Sequence, residues 1–352
     1  MKVGKTYSGN PTPTPTPPGP TPPGPNPTPS ASRPDPYCGG SFSGPIGGST
    51  QPIPATTGRN LTVGSGKQYS SVSAALSAAA PGDNIVVDPG SYGSLSINKS
   101  GTANKCITIV GNGGKAIFSG MSTGGSKYIR LMNLTTKGSG SYGINANNSQ
   151  YIVFSNFEVD GSRNGGIQIA GGRYVLIDGC DVNATNGGVG NSGEGEAISI
   201  ADRTTDAEVR YCKVYDNGEE GIDVKYSYNT NAKVHHNIVY NCNGPNIYID
   251  GGNGVEVYNN ISYGSRGSSK AGIGIASETT YGNTPQASDI KVYNNVLYGN
   301  ANAGFQIWAE PGGRVFNISF YNNTVTGNRR AMEVSTNQIS GTNPVFNNIL
   351  VG

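Results

Sequence analysis

The chain has 352 residues, of which 54 are glycine and only 13% carry a charge, and its formal net charge is +2. A charge this close to neutral argues against a protein that binds nucleic acid through a strong basic field. No apolar run reaches the length of a membrane span, so a membrane crossing is not expected. The abundant residues Val, Ile, Tyr, Asn, Gly and Ser favour strands and turns over helices.

The first 60 residues differ in composition from the rest. Residues 11–36 form a tract of Pro, Thr and Gly, which predicts an extended, solvated spacer, and residues 37–60 continue as loop. We therefore expect a linker over residues 1–60 and a folded domain over residues 61–352. The chain begins without the apolar segment of a secretory signal. Thr/Pro-rich tracts are nevertheless typical of secreted modular proteins, so an extracellular location, secreted or on the cell surface, is expected.

A short helix is predicted at the start of the folded domain, over residues 69–80. Ser70 or Ser71 can serve as its N-cap, and Pro81-Gly82 ends it. Its apolar residues follow the i, i+3, i+4, i+7 pattern of one helical face: Val72, Ala75, Leu76 and Ala79. Such a helix would cover the open end of an apolar stack.

A short phrase of β-formers recurs from about residue 127 to the C-terminus, and its later copies have Asn at the fourth position. Its fourth residues lie 25, 23, 35, 28 and 25 positions apart, and they are Cys212, Asn237, Asn260, Asn295, Asn323 and Asn348. A period in this range indicates a parallel β-helix, here of roughly ten coils. The recurring Asn is expected to point inward at a bend, where its side-chain amide hydrogen-bonds from coil to coil.

A second strand with strict apolar alternation follows each phrase, so every other residue points outward. Equivalent positions of successive coils stack into columns. One outward column reads Gln168, Ser199, Asp223, Tyr248, Gly274, Gln306, Glu333. The column two residues later reads Ala170, Ala201, Lys225, Asp250, Ala276, Trp308, Ser335, and the column before the strand reads Glu196, Glu220, Pro245, Ala271, Ala303, Arg330.

Acidic residues are concentrated on two adjacent coils of these columns: Glu196, Glu219, Glu220 and Asp223, with Glu194 on the flanking turn. Carboxylates this close together should repel one another and have raised pKa values. A hard divalent cation with oxygen ligands removes the conflict, and Ca²⁺ suits such a flexible set better than Mg²⁺. The alternative is that these acids face solvent and pair loosely with Lys225 and Arg203.

Residues 217–223, Asn-Gly-Glu-Glu-Gly-Ile-Asp, resemble the Asp-Asp-Gly-x-Asp calcium motif of the β-helical pectate lyases of polysaccharide lyase family nine. Glu196, 24 residues before Glu220, falls where that family has one more acid. The resemblance covers residues 61–350 as a fold. It implies an all-β, right-handed parallel β-helix and a Ca²⁺-assisted β-elimination that cleaves a uronate-containing polymer, pectate-like or alginate-like.

The resemblance departs from the family at the catalytic base, which there is a lysine in the column of Asp223 on the coil above. Here that position is Tyr248, and the nearest lysine on the same surface is Lys225. Both remain candidates for proton abstraction. Arg203, on the turn after Ala201, is expected to hold a second carboxylate bidentately.

The outward columns also predict a polymer-binding groove along the coils. Its expected substrate-binding residues are Tyr226, Asp250, Trp308 and Arg330. Tyr226 and Trp308, like Tyr248, could stack on sugar faces. A lone Trp on an outward column could equally pack against a neighbouring loop.

Cysteine and histidine offer no further catalytic site. Cys180 and Cys212 fall in one column of neighbouring coils, where they either form a bridge or stay as two buried thiols. His235 and His236 are consecutive on a strand and lack the neighbours of a metal site or triad, so a structural role is expected.

A second class of function remains open beside the lyase. The departure at the base and the near-neutral charge are compatible with a non-catalytic extracellular β-helix that binds glycan or builds a surface fibre on a Pro/Thr stalk. Both classes predict an acidic polysaccharide as partner, no nucleic acid and no membrane span. End-to-end or stalk-mediated assembly is possible for either class, because an uncovered last coil is an unpaired sheet edge.

Overall fold

The computed structural model describes residues 32–188, 195–226, 231–280 and 286–351. Three strands recur in each turn of the chain, and equivalent strands of successive turns pair in parallel. The result is an all-β, right-handed parallel β-solenoid of about 11 turns with a single short helix, which confirms the predicted fold class. None of the helices in the described part of the chain has the length and apolar character that a membrane crossing requires.

Three sheets run along the solenoid. Sheet 1 has 13 strands: Asn60–Val63, Asn84–Val87, Ile107–Gly111, Lys127–Met132, Gln150–Ser155, Arg173–Asp178, Thr205–Arg210, Lys233–His235, Glu256–Tyr258, Gln286–Tyr293, Arg314–Tyr321, Ile339–Ser340 and Val345–Phe346. Sheet 2 has 11 strands: Gly90–Tyr92, Ala116–Phe118, Leu134–Ser139, Glu158–Ser162, Asp181–Thr185, Lys213–Tyr215, Ile238–Tyr240, Ile261–Tyr263, Val296–Tyr298, Thr324–Thr326 and Ile349–Val351. Sheet 3 has 10 strands: Leu95–Ser96, Met121–Ser122, Ile144–Asn145, Ile167–Ala170, Ile198–Ala201, Ile222–Lys225, Ile247–Asp250, Ile273–Ser277, Ala303–Ala309 and Arg330–Val334.

The bend between sheets 1 and 2 is built by the recurring Asn, as predicted. Asn260 Oδ1 accepts hydrogen bonds of 3.0 Å from the backbone N–H and the side-chain amide of Asn237, and Asn295 Oδ1 does the same for Asn260. The residue before each ladder position has a left-handed φ of 53 to 57°, a region that Asn tolerates well; these residues are Tyr211, His236, Asn259, Asn294, Asn322 and Asn347. Backbone shape and side-chain ladder therefore repeat together.

The core lies inside the solenoid, where stacked Val, Ile, Leu and Phe side chains form one continuous cluster. The helix Val72–Ala78 lies within the predicted range, and the Ser71 side chain caps it by accepting from the Ala74 N–H at 3.2 Å. Its buried residues Val72, Ala75 and Leu76 join that core cluster. The helix therefore covers the N-terminal end of the stack, as its pattern predicts.

Residues 33–51, the N-terminal strap, pack across the outer face of sheet 1. They contain a two-stranded hairpin, Arg33–Pro34 with Ser41–Phe42. A disulfide joins Cys38 to Cys106, and Phe42 helps to cover a second apolar cluster on that face, which includes Val86, Val110, Met132, Val153 and Leu176. The predicted linker over residues 1–60 therefore includes a segment that is attached to the β-helix.

Buried ion pairs attach the start of the strap. Arg33 donates two hydrogen bonds to Asp178 Oδ1 and a third, from Nε, to Asp178 Oδ2 at 3.0 Å. Arg210 donates to the same carboxylate at 2.5 Å and to the Pro34 carbonyl at 2.6 Å. Three cysteines are buried free thiols: Cys180, Cys212 and Cys242. Cys180 and Cys212 therefore do not form the disulfide that was one of the two alternatives for this pair.

The C-terminal turn exposes apolar side chains. Its most exposed members include Ile349 at 61% and Val351 at 51%. End-to-end assembly through this face stays a prediction.

Candidate functional site

The predicted columns are present on the outer face of sheet 3. Ser199, Asp223 and Tyr248 are neighbours in consecutive parallel strands, and the same column continues on both sides through Gln168 and Gly274. Lys225 is in register with Asp250. The alternation of apolar and polar residues was therefore sufficient to register the turns, because a slip by one residue would bury the polar set.

Two of the four predicted acids converge on one cation of the chain itself. The Lys225 ammonium forms an ion pair with Glu196 Oε1, and it lies 3.7 Å from Asp223 Oδ2. The three side chains are only 17%, 10% and 3% exposed. Glu196 and Asp223 therefore face the same point from adjacent turns, and they are not loosely paired acids in open solvent.

Two oxygens beside this ion pair have no partner. Asp223 Oδ1 and Ser199 Oγ are buried and make no hydrogen bond, and the two residues are register neighbours in adjacent strands. A buried oxygen without a donor carries the full desolvation penalty of its group. The site therefore has unused acceptor capacity on the side of Asp223 that does not face Lys225.

The pKa values of the clustered carboxyls are raised, as their spacing predicts, by burial first and then by one another's charges. Burial, reinforced by Glu219 and Glu196, raises the pKa of Glu220 to about 8. Burial raises the pKa of Asp223 well above its usual range, although Lys225 opposes the shift. Burial also raises the pKa of Glu219, with Lys270 as the main opposing charge. Burial is the largest cause of all three shifts, so a positive charge placed among these carboxyls would favour their ionised forms.

A pocket of about 240 Å³ opens onto the ion pair. Its lining residues are Tyr142, Gln168, Gly195, Glu196, Ala201, Asp202, Lys225 and Tyr226. Glu219 and Glu220 are not in this lining, and Glu194 lies outside the described residues. Arg203 is exposed and follows Asp202, which lines the pocket, but Arg203 itself is not in the lining.

Both candidate bases are engaged in the structure. Burial lowers the proton affinity of Lys225, but Asp223 and Glu196 outweigh burial, and the pKa of Lys225 is raised. Tyr248 is 5% exposed and donates from its hydroxyl to Glu278 Oε1 at 2.6 Å. Burial, followed by the charges of Asp250 and Glu278, raises the pKa of Tyr248 well above its usual range. Each group therefore retains its proton in this state.

The predicted substrate-binding residues are spread along sheet 3. Tyr226 lines the pocket, with the Lys225 ammonium 5.0 Å from its ring centroid. Asp250 is 2% exposed and accepts a hydrogen bond of 3.0 Å from the Glu278 N–H. Trp308 lies three strands beyond Lys225, at about 14 Å, and Arg330 lies five strands beyond Glu196, at about 24 Å. These two residues are therefore outside the pocket.

Sequence reasoning missed several residues near the site. Gln168 stands in the outward column but was not selected as a site residue, and it lines the pocket. Tyr142 also lines the pocket, and extending the column of Glu196 back by two turns would have pointed to it. Glu278 lies on the turn after the strand Ile273–Ser277, where the period gives no guidance. Lys270 lies two turns of the solenoid beyond Asp223, yet its positive charge opposes the rise in the pKa values of Glu219 and Glu220.

A divalent cation fits the chemistry of these side chains but not their present arrangement. Across residues 32–188, 195–226, 231–280 and 286–351, no three acidic, His or Cys side chains are placed as ligands of one ion. The Lys225 ammonium occupies the space between Glu196 and Asp223. The unpartnered Asp223 Oδ1 and the excess of acids are what a cation would satisfy. The Ca²⁺ site stays a prediction.

Comparisons with known proteins agree on the fold. A family model described as "Right handed beta helix region" matches residues 83–262 and 191–351. Pectate lyase Pel9A is 18% identical with a TM-score of 0.57, and the match covers 82% of this chain and 80% of that one. Alginate lyase from Paenibacillus sp. str. FPU-7 is 21% identical with a TM-score of 0.50, covering 84% and 99%. A rhamnogalacturonan lyase is 14% identical with a TM-score of 0.56, covering 83% and 87%. These identities establish a common architecture only. No curated protein matches the chain in sequence.

Proposed function

Because this chain belongs to the family of right-handed β-helix regions, we propose that the outer face of its sheet 3 acts on a polysaccharide. The proposed activity is that of an extracellular lyase, which cleaves a uronate-containing polymer by Ca²⁺-assisted β-elimination. Three solved structures with the same architecture bear the names of pectate, alginate and rhamnogalacturonan lyases, which supports this class of substrate.

One observation carries the proposal: Glu196, Asp223 and Lys225 converge beside a pocket that is open to solvent. Burial lowers the pKa of Lys225, which lines this pocket, but the charges of Asp223 and Glu196 outweigh burial and raise it. A titratable group that is perturbed by specific charges in a cleft is typical of functional sites. Asp223 Oδ1 and Ser199 Oγ are buried without hydrogen-bond partners, which costs stability. An ion pair with a structural role alone gives no reason for that cost. The pocket walls add Tyr142 and Tyr226, whose rings offer apolar surface to a sugar.

The reaction requires a proton acceptor and a means of stabilising negative charge. The acceptor removes the C5 proton of a uronate, the C4–O4 bond breaks, and a C4=C5 double bond forms while the departing oxygen takes up a proton. Lys225 is the amine nearest the pocket, and it can accept the C5 proton once it has lost its own proton and its contact with Glu196. Arg203, exposed and next in sequence to the pocket residue Asp202, can bind a second substrate carboxylate bidentately.

Glu196, Glu219, Glu220 and Asp223 are the residues that would hold the Ca²⁺. A bound Ca²⁺ would neutralise the substrate carboxylate and stabilise the enolate-like charge that develops at elimination. Tyr226 and Asp250 would position the sugar next to the cleavage point, and Trp308 and Arg330 would contact the polymer farther along the sheet.

A specific observation favours a second function, glycan binding without cleavage. Both candidate bases hold their protons in the structure, Lys225 in an ion pair and Tyr248 in a buried hydrogen bond to Glu278. A groove with charge and aromatic surface but no free base would bind an acidic polymer and leave it intact.

The experiment incubates the full chain and Ca²⁺ with a panel of pectate and alginate. Cleavage is followed by the ultraviolet absorbance of the unsaturated product, and binding by calorimetry with each polymer. We expect product formation that falls at least about a hundredfold in Asp223→Asn, since one electrostatic stabiliser contributes this much to a rate. The control is Asp160→Asn, which removes an acid paired with Lys137 on sheet 2.

The outcomes separate the two functions. Polymer binding without product would favour the non-catalytic module. Neither binding nor product across the panel would contradict both, and equal loss in Asp160→Asn would mean that the effect does not arise at this site.

A further inference from the structure

Lys225 occupies the position that a cation would take. Its ammonium is paired with Glu196 and lies 3.7 Å from Asp223, two of the residues proposed above to hold Ca²⁺. We propose that Lys225 is a tethered counter-ion, which occupies the acid site in the ion-free protein and competes with a divalent cation for Glu196 and Asp223. This inference rests on the proposed function, because it concerns the regulation of the same site.

The competition follows from the shared oxygens. Glu196 Oε1 directs its charge at the ammonium, and a divalent ion at the same place would face a positive charge at contact distance. Two cations this close repel strongly wherever water is largely excluded, and the three side chains here are at most 17% exposed. An ion can therefore bind both acids only after the ammonium has moved.

The structure offers the ammonium a second acid. Asp250 is the register neighbour of Lys225 in the next strand, and it is 2% exposed. Its surroundings are otherwise acidic, because Glu278 lies against it. Adjacent parallel strands lie about 4.8 Å apart, so a change of side-chain rotamer can transfer the ammonium towards Asp250. Tyr226 already lies under the ammonium and can keep contact with it during that transfer.

A separate observation points to a ligand beyond Lys225. Asp223 Oδ1 and Ser199 Oγ remain without hydrogen bonds although the ammonium is present. One ammonium between two carboxylates therefore leaves acceptors that an ion with a larger number of oxygen ligands would satisfy.

Ca²⁺ affinity of the full chain, measured by calorimetry, tests the inference. Lys225→Gln removes the competitor and should bind Ca²⁺ more tightly than the wild type by at least about fivefold, the lower end of usual coupling between two ligands. Asp250→Asn removes the second partner of Lys225 and should weaken Ca²⁺ binding several-fold in the wild type, yet have no effect when combined with Lys225→Gln. The matched control is Lys137→Gln, which removes a lysine from an exposed ion pair with Asp160 on sheet 2.

Thermal unfolding in chelator and in Ca²⁺ is the second readout. Lys225→Gln should melt lower than the wild type in chelator and gain more on addition of Ca²⁺. If that variant does not fold in chelator, the Ca²⁺ concentration that restores the fold measures the affinity, and Lys225→Arg, which keeps the charge, should behave as the wild type.

Equal Ca²⁺ affinity in wild type and Lys225→Gln would overturn the counter-ion role and leave the Ca²⁺ site standing. Absence of binding in both would overturn the Ca²⁺ site and the counter-ion role together. If Asp250→Asn still weakens Ca²⁺ binding in the Lys225→Gln background, Asp250 contacts the ion itself. That result would overturn the role of Asp250 as the second partner of the Lys225 ammonium.

Discussion

Replacing Asn260 by Ala should be among the most destabilising single changes in the described chain. Asn260 is 1% exposed and makes four side-chain hydrogen bonds. Its Oδ1 accepts from the backbone N–H and side-chain amide of Asn237, and its Nδ2 donates to the Val234 carbonyl and to Asn295 Oδ1. The change removes the partners of two N–H donors and of the Val234 carbonyl, whereas Asn295 Oδ1 loses one of two donors and keeps the backbone N–H of residue 260. At about 1–3 kcal/mol for each unsatisfied buried group, with partial relaxation, we expect a loss of roughly 3–5 kcal/mol.

Asn348 provides the matched control, because it makes the same number of side-chain hydrogen bonds where solvent has more access. Its Oδ1 accepts from Asn323 and its Nδ2 donates to the carbonyls of Phe320 and Phe346, but it is half-buried in the C-terminal turn. Water can replace the lost partners there, so Asn348→Ala should cost about 1 kcal/mol or less.

The assay is urea unfolding followed by circular dichroism, together with hydrogen exchange of the Asn237 amide. That amide should lose protection in Asn260→Ala and keep it in Asn348→Ala. If the two substitutions cost the same, the stability of the ladder would not depend on burial, and the reasoning from unsatisfied groups would be refuted.

Two further changes test the strap and the acid cluster. The double change Cys38→Ser and Cys106→Ser removes a disulfide that closes a loop of 68 residues. It should lower the free energy of unfolding, measured with urea, by about 4 kcal/mol. Reductant should destabilise only the wild type, and an equal effect of reductant on the variant would contradict the predicted contribution of the disulfide. Glu220, whose pKa burial raises from 4.5 to about 8, keeps a proton in the folded state that the unfolded chain releases, so stability should fall as pH rises across this window. With chelator present, the stability of Glu220→Gln should depend less on pH, and near pH 8 this variant should be more stable than the wild type by a few kcal/mol at most. An unchanged dependence of stability on pH would contradict the raised pKa of Glu220.

The periodic part of the structure could be read from the sequence. Alternation of apolar and polar residues places Ser199, Asp223 and Tyr248 in one outward column, and the parallel pairing is as expected. The recurring Asn indicates the bend because its side chain can replace the backbone partners of the next turn. Each of these features repeats over several turns, so an error at one position would have conflicted with its neighbours.

The parts that do not repeat could not be read in this way. Five cysteines do not specify which two pair, and the bond between Cys38 and Cys106 depends on where the strap packs. Tyr248 is outward in its column, yet it is 5% exposed and donates its hydroxyl hydrogen to Glu278, which lies on a turn outside the period. The groups that decide between cleavage and binding therefore depend on turns of variable length, which the column pattern does not position.

The strap changes how the N-terminal turns can come apart. A solenoid held only by contacts between adjacent turns can unravel one turn at a time from an end. Here the strap reaches from Cys106 to Asp178 and Arg210, and its Gln51 and Tyr37 contact turns between them. A pull on the preceding segment is therefore shared by several turns at once. We expect this region to open as one cooperative unit under force. Among the described residues no strap crosses the C-terminal turns, which should therefore open one at a time.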